Sequence, residues 1–152
     1  MKKYEREWWQ SLPPEKVGKE TEKLVERLFT QWNQKAHFSW GRLPDARAAR
    51  GAIAAQPADY AFWSKPWGGY LEVKATKHDF RLAKDKLRQL PLLQKHAVAG
   101  AQSLVLVHHY LLSKWRIVPA MELEAGLPSW DLSRYPLFDS AEAALLSTEM
   151  FS

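Results

Sequence analysis

The chain has 152 residues, the length of about one domain, and 46% of them are hydrophobic, enough to build a core and too many for wholesale disorder. Its formal net charge of +5 and pI of about 9.5 suit a polyanionic partner without identifying one. Cysteine is absent, which excludes disulfides, thiolate zinc sites and cysteine nucleophiles, and no run approaches the ~18 apolar residues of a membrane span.

Residues 1–17 read as a polar leader. Its start, Met1-Lys2-Lys3-Tyr4-Glu5-Arg6-Glu7-Trp8-Trp9, lacks the apolar run of a signal peptide, and Pro13-Pro14 closes it, so a cytoplasmic protein is expected. Gly18 to Gln34 reads as a helix: Val25, Leu28, Phe29 and Trp32 fall at i, i+3, i+4 and i+7 and make one apolar stripe. Glu22 stands one turn before Val25 on the same side and is expected to face inward. Glu20 and Glu22 are equally suited to an acid's ordinary role beside the positive end of the helix dipole. Residues 37–57 are the least regular part, with Gly41, Pro44, Gly51, Pro57 and the cations Arg42, Arg47 and Arg50. A short helix is expected over Ala46–Ala55, and a connection this long is usually functional or mobile.

Two strands are expected near 58–63 and 69–75, joined by a turn at Trp67-Gly68-Gly69. Lys77 to His96 reads as helical in composition, with Pro91 marking a kink or a fresh start. Gln102-Ser103-Leu104-Val105-Leu106-Val107 reads as a buried strand and Lys114-Trp115-Arg116-Ile117-Val118 as another, ended by Pro119. Short helical pieces are expected over 120–152, the last over Ala141–Met150. The order predicts an α/β fold with a mixed central sheet flanked by helices. Eight tryptophans are expected chiefly in the core or at a dimer surface rather than as stacking platforms for bases.

The chemistry concentrates at Asp59 and at Glu72-Val73-Lys74. Side chains alternate along a strand, so Tyr70, Glu72 and Lys74 share one face while Leu71 and Val73 share the other. If the two strands pair as a hairpin, Asp59 lies beside Glu72, and two carboxylates and an ammonium converge. Phosphodiester hydrolysis is slow enough that enzymes commonly use metal ions for it. Mg²⁺ takes carboxylate and carbonyl oxygens, here Asp59, Glu72 and the backbone carbonyl of Val73. Lys74 can orient the attacking water or neutralise charge developing on the phosphate. Asp45 rivals Asp59 as the acid of a literal Pro-Asp pair, but Asp59 is followed by a strand that would hold it. His78, His108 and His109 lack metal-ligand spacing and read as surface or sheet residues.

Taken together these segments resemble the PD-(D/E)XK nuclease superfamily, and within it the archaeal-type Holliday junction resolvases and bacterial RecU. Gly18-Lys19-Glu20-Thr21-Glu22-Lys23-Leu24 matches a first helix in which a glycine precedes the catalytic glutamate by four, which selects Glu22 over Glu20. Asp59 and Glu72 match the family's Asp-to-Glu separation, and Leu71-Glu72-Val73-Lys74-Ala75-Thr76-Lys77 resembles its catalytic strand. Leu87-Arg88-Gln89-Leu90, Gly100 and the strand Leu104–Val107 follow in the family's order. The likeness spans residues 18–119 as a nuclease core, with 120–152 an extension packed on the same domain. The 37–57 stretch is longer than its archaeal-type counterpart and shorter than the RecU arm.

The resemblance implies a restriction-endonuclease-like single domain and a homodimer that nicks opposing strands of a four-way DNA junction in recombination and repair. It implies Mg²⁺ (with Mn²⁺ as substitute) bound by Glu22, Asp59 and Glu72, and a catalytic Lys74. Contacts to branched DNA are expected from Lys19, Arg42, Arg47, Arg50, Thr76, Lys77, Lys84 and Arg88. Resolvases of this size also occur in phages, for which the location would be the host cytoplasm. Two other readings fit the same motif: a different DNA nuclease on this fold (repair, recombination or restriction type), and a non-catalytic DNA-binding module.

Overall fold

A computed structural model describes residues 1–44 and 56–152. Five strands form one mixed sheet in the order β1-β2-β3-β5-β6: β1 (Phe38–Arg42), β2 (Tyr60–Ser64), β3 (Trp67–Thr76), β5 (Gln102–His109) and β6 (Lys114–Pro119). The β3–β5 pairing is parallel and the other three are antiparallel. Alternation along the strands divides the core in two. Leu71 and Val73 of β3, with Leu104 and Leu106 of β5, face α2 (Pro14–Trp32) and α4 (Ala141–Leu146), where they meet Val25, Phe29, Trp32 and Phe151. Val105 and Val107 point the other way, into a second cluster with Leu82, Leu87, Leu93 and Trp130. α3 (Leu90–Val98) covers that second face.

The expected architecture is observed, and the local differences have physical causes. The leader is not featureless: Arg6–Ser11 forms α1, and its Trp9 is buried edge-on against His108 at 4.9 Å. α2 begins at Pro14 rather than Gly18, because proline lacks only an N–H that a first helical turn leaves unpaired anyway. Phe38 to Arg42, expected to be irregular, is a strand whose Phe38 and Trp40 alternate with Ser39 and Gly41. The hairpin turns at Lys65-Pro66, and Gly68 and Gly69 lie within β3. A Cβ at Gly69 would collide with the backbone of Gln102, so this glycine allows β3 and β5 to approach.

Lys77–His96 is not one helix. It holds β4 (Arg81–Ala83), a 3-10 turn at Lys84–Lys86 and then α3, with Pro91 in its first turn. β4 pairs with β7 (Ser129–Asp131), placing Leu82 opposite Trp130, so tertiary pairing overrides the helical composition of that stretch. The last helix stops at Leu146, starting from Ser140, whose hydroxyl accepts a hydrogen bond from Ala143 N at 3.0 Å. The helix expected over Ala46–Ala55 lies outside the described residues. Among the described residues, no helix is long and apolar enough to cross a membrane.

Candidate active site

β2 and β3 pair with Tyr60 opposite Leu71. Extending that register by one residue sets Asp59 opposite Glu72, as the hairpin reading requires. Asp59 sits just before β2, held at both ends: its carbonyl accepts from Leu43 N at 2.8 Å, and its carboxylate Oδ2 accepts from Val73 N at 2.9 Å. The backbone of β3 therefore fixes the aspartate carboxylate.

Glu72 is 0% exposed, and neither carboxylate oxygen has a hydrogen-bond donor. Lys74 Nζ stands 3.4 Å from Oε1, within ion-pair range but outside hydrogen-bonding geometry. Burial first, and then the neighbouring Asp59 carboxylate, raise the Glu72 pKa well above the ordinary carboxylate range, while Lys74 opposes the rise. The contact between the two carboxyl groups is a hydrogen bond only when they share a proton. With both ionised, Glu72 is a buried anion with no donor. Buried carboxylates are normally hydrogen-bonded as well as paired; one lysine offers two carboxylates a single counter-charge and Glu72 no hydrogen bond, so this pair suits a hard divalent ion.

Glu22 comes to the same place from α2. Its pKa is raised by burial and by the negative charge of Asp59, against the opposing pull of Arg42. The Arg42 guanidinium reaches Glu22 at 3.0 Å and Glu26 at 2.6 Å, and the Tyr60 hydroxyl donates to Glu26 at 2.7 Å. The expected three-carboxylate ligand set is thus not assembled. Among the described residues no three acidic or imidazole side chains are grouped to hold one ion, since Arg42 draws Glu22 toward Glu26. A cleft of about 280 Å³ opens over this region, lined by Glu22, Val73, Lys74, Asp85, Lys86 and Tyr110 among others.

No protein-family model matches the sequence, and no curated protein is significantly similar to it. The structure is similar to the 1.6 Å structure of Hjc, a Holliday junction resolvase from the archaeal hyperthermophile Archaeoglobus fulgidus. The TM-score is 0.50 and the identity 25%, over 82% of this chain and 98% of that one. The chain has the restriction-endonuclease-like fold of that resolvase.

Within this resolvase fold the other expected site residues are dispersed. Lys19 and Lys77 are exposed, on α2 and just after β3. Lys84 and Arg88 line a separate groove of about 600 Å³ with Leu87, Pro91 and Trp130. Thr76, expected at the DNA surface, is 1% exposed; its hydroxyl donates to Arg81 O and accepts from His78 N, so it ties a loop rather than meeting a ligand. Arg42, expected to grip phosphate, is instead paired with carboxylates. Arg47, Arg50 and the rival Asp45 lie outside the described residues. Sequence reasoning missed Glu26, Asp85, Lys86 and Tyr110. For Glu26 a signal existed: it follows Glu22 by one turn on α2, while the other three come from segments that only the tertiary fold brings to the cleft.

Proposed function

We propose that the chain is a divalent-metal-dependent endonuclease that resolves four-way DNA junctions by phosphodiester hydrolysis. The carrying observation is Glu72, fully buried with both oxygens undonated beside Asp59. The likeness to an archaeal Holliday junction resolvase supports the substrate class.

Asp59 and Glu72, with the backbone carbonyl of Val73, would hold Mg²⁺, and Mn²⁺ in its place. Glu22 adds negative charge to the rim of the same cleft. A bound divalent cation supplies the Lewis acid and the activated water of such hydrolyses. The Val73 N–H keeps the Asp59 carboxylate oriented. Lys74, about a quarter exposed at the cleft, places a positive charge where the phosphate gains negative charge in the transition state. Lys19, Lys77, Lys84, Lys86 and Arg88 contribute phosphate contacts, which select shape rather than sequence and weaken steeply with salt. A two-fold junction calls for two symmetric sites, so the acting species is a homodimer that makes paired nicks.

The test is a synthetic four-way junction labelled on each strand in turn, incubated with wild type and with Asp59→Asn, in Mg²⁺ and in chelator. Wild type in Mg²⁺ should nick opposing strands, and the variant should bind without cutting. Cutting that persists in chelator would remove the metal, and equal cutting of linear duplex would replace junction resolution with general nuclease activity.

A further inference from the structure

We propose that the corner of the sheet around Trp63 is a stacking shelf for an unpaired nucleobase of the bound DNA. This rests on the DNA-binding part of the reading above and not on cleavage. Trp63 lies within β2 yet is 61% exposed, the most exposed aromatic side chain among the described residues. Its partner across the hairpin is Gly68. A Cβ built on Gly68 would sit 3.4 Å from Cδ1 and Nε1 of the indole, so the ring lies against a position that carries no side chain. Beside it is a hollow of about 360 Å³ lined by His37, Ser39, Lys65, Pro66 and Trp67 among others. That volume falls within the range of small-molecule sites, roughly 300–1,000 Å³. The two walls are tied by a hydrogen bond from Lys65 N to His37 O at 3.1 Å.

Charge selects the occupant. The residues lining the hollow include no Asp or Glu and bring one cation, Lys65, together with His37. An aromatic platform beside a lysine, with no carboxylate in the lining, fits a base attached to phosphates. Position supports the same occupant. Side chains two apart on β2 share a face, and so do partners across the hairpin, so Trp63 is on the same side of the sheet as Asp59, Glu72 and Lys74. Trp63 is four residue rises along the chain from Asp59, roughly 13 Å. A strand lying in the acidic cleft therefore reaches the shelf within a few nucleotides.

The experiment measures binding of three labelled probes in chelator by fluorescence anisotropy: a short oligothymidine, an abasic oligomer of the same length, and a blunt duplex. The proteins are wild type, Trp63→Ala, Trp63→Phe and Asp59→Asn, each checked by thermal melting and sedimentation. Trp63→Ala should weaken oligothymidine binding by roughly 5- to 100-fold, Trp63→Phe should keep most of the affinity, and the other two probes should bind both variants as they bind wild type. Asp59→Asn removes a negative charge from the path of the strand and should bind oligothymidine no more weakly than wild type, so a failure to cleave leaves this test intact. Unchanged oligothymidine affinity in Trp63→Ala overturns the shelf. So does an equal loss on all three probes, or a fall in oligomeric state, which would make the patch a protein–protein surface.

Discussion

Glu72 and Arg116 are both charged side chains buried in the central sheet, at 0% and 5% exposure, and their surroundings differ in kind. Arg116 makes three hydrogen bonds. Its Nε donates to Tyr135 O at 2.9 Å, and its Nη1 donates to Asp79 O at 2.6 Å and to His109 Nε2 at 2.9 Å. His109 accepts at Nε2 and therefore carries its proton at Nδ1, which donates to His78 O at 2.6 Å. That network ties two loops to the sheet. Glu72 has no hydrogen-bond donor, an acid for a neighbour, and the Lys74 ammonium 3.4 Å away as its counter-charge. The hydrogen-bonded charge holds loops in place, whereas a buried carboxylate without a donor is the exception among buried polar groups.

The sharpest way to break this contrast is at the acids. Asp59→Asn should lower the junction-cleavage rate on the order of 10³-fold while leaving junction affinity near wild type, read by gel-based nicking and anisotropy. At the other cluster, Arg116→Ala should cost about 3 kcal/mol of folding free energy in a urea titration, because it strands His109 and two carbonyls. In contrast, Glu72→Gln should raise thermal stability in chelator near neutral pH, by a few degrees, because it removes the cost of keeping a buried carboxyl protonated.

pH separates the two clusters further. The folded-state pKa of Glu72 is raised above its ordinary 4.5 by burial, then by Asp59. The native state therefore favours the protonated acid. The associated stability is fully present below 4.5 and is lost as pH rises toward the elevated value. In chelator the melting temperature should fall across that window. Adding Mg²⁺ should restore most of the loss and Glu72→Gln should flatten the curve, both read by scanning fluorimetry. The smallest effect is expected one turn away. Glu20 makes only an exposed i,i+3 contact with Lys23 at 3.2 Å, so Glu20→Ala should shift stability by less than about 0.5 kcal/mol and leave cleavage unchanged. Glu22→Gln should lower cleavage, and equal behaviour of the two variants would remove Glu22 from the site.

Strand alternation was enough to place Glu72 and Lys74 on one face and to bring Asp59 beside Glu72, because a period of two leaves no other choice once the hairpin forms. The apolar stripe of α2 likewise put Glu22 near the sheet. Less local features were not legible. Nothing near Arg42 signals that it will bridge Glu22 and Glu26 across 16 to 20 positions. β4 could not be read as a strand because its partner, β7, lies some fifty residues downstream. The irregular look of Phe38–Arg42 came from Gly41, which an edge strand tolerates.

Gly69 has a bearing on the acids that its own chemistry would not suggest. It is three residues before Glu72 on the same strand, at the point where β3 and β5 come too close for any side chain. Anything larger there must push β3 sideways or along its axis, and the displacement is handed on to the glutamate. The spacing between the two acids is therefore calibrated by an atom that is missing, and a mutational screen that looks only at charged positions would overlook its ruler.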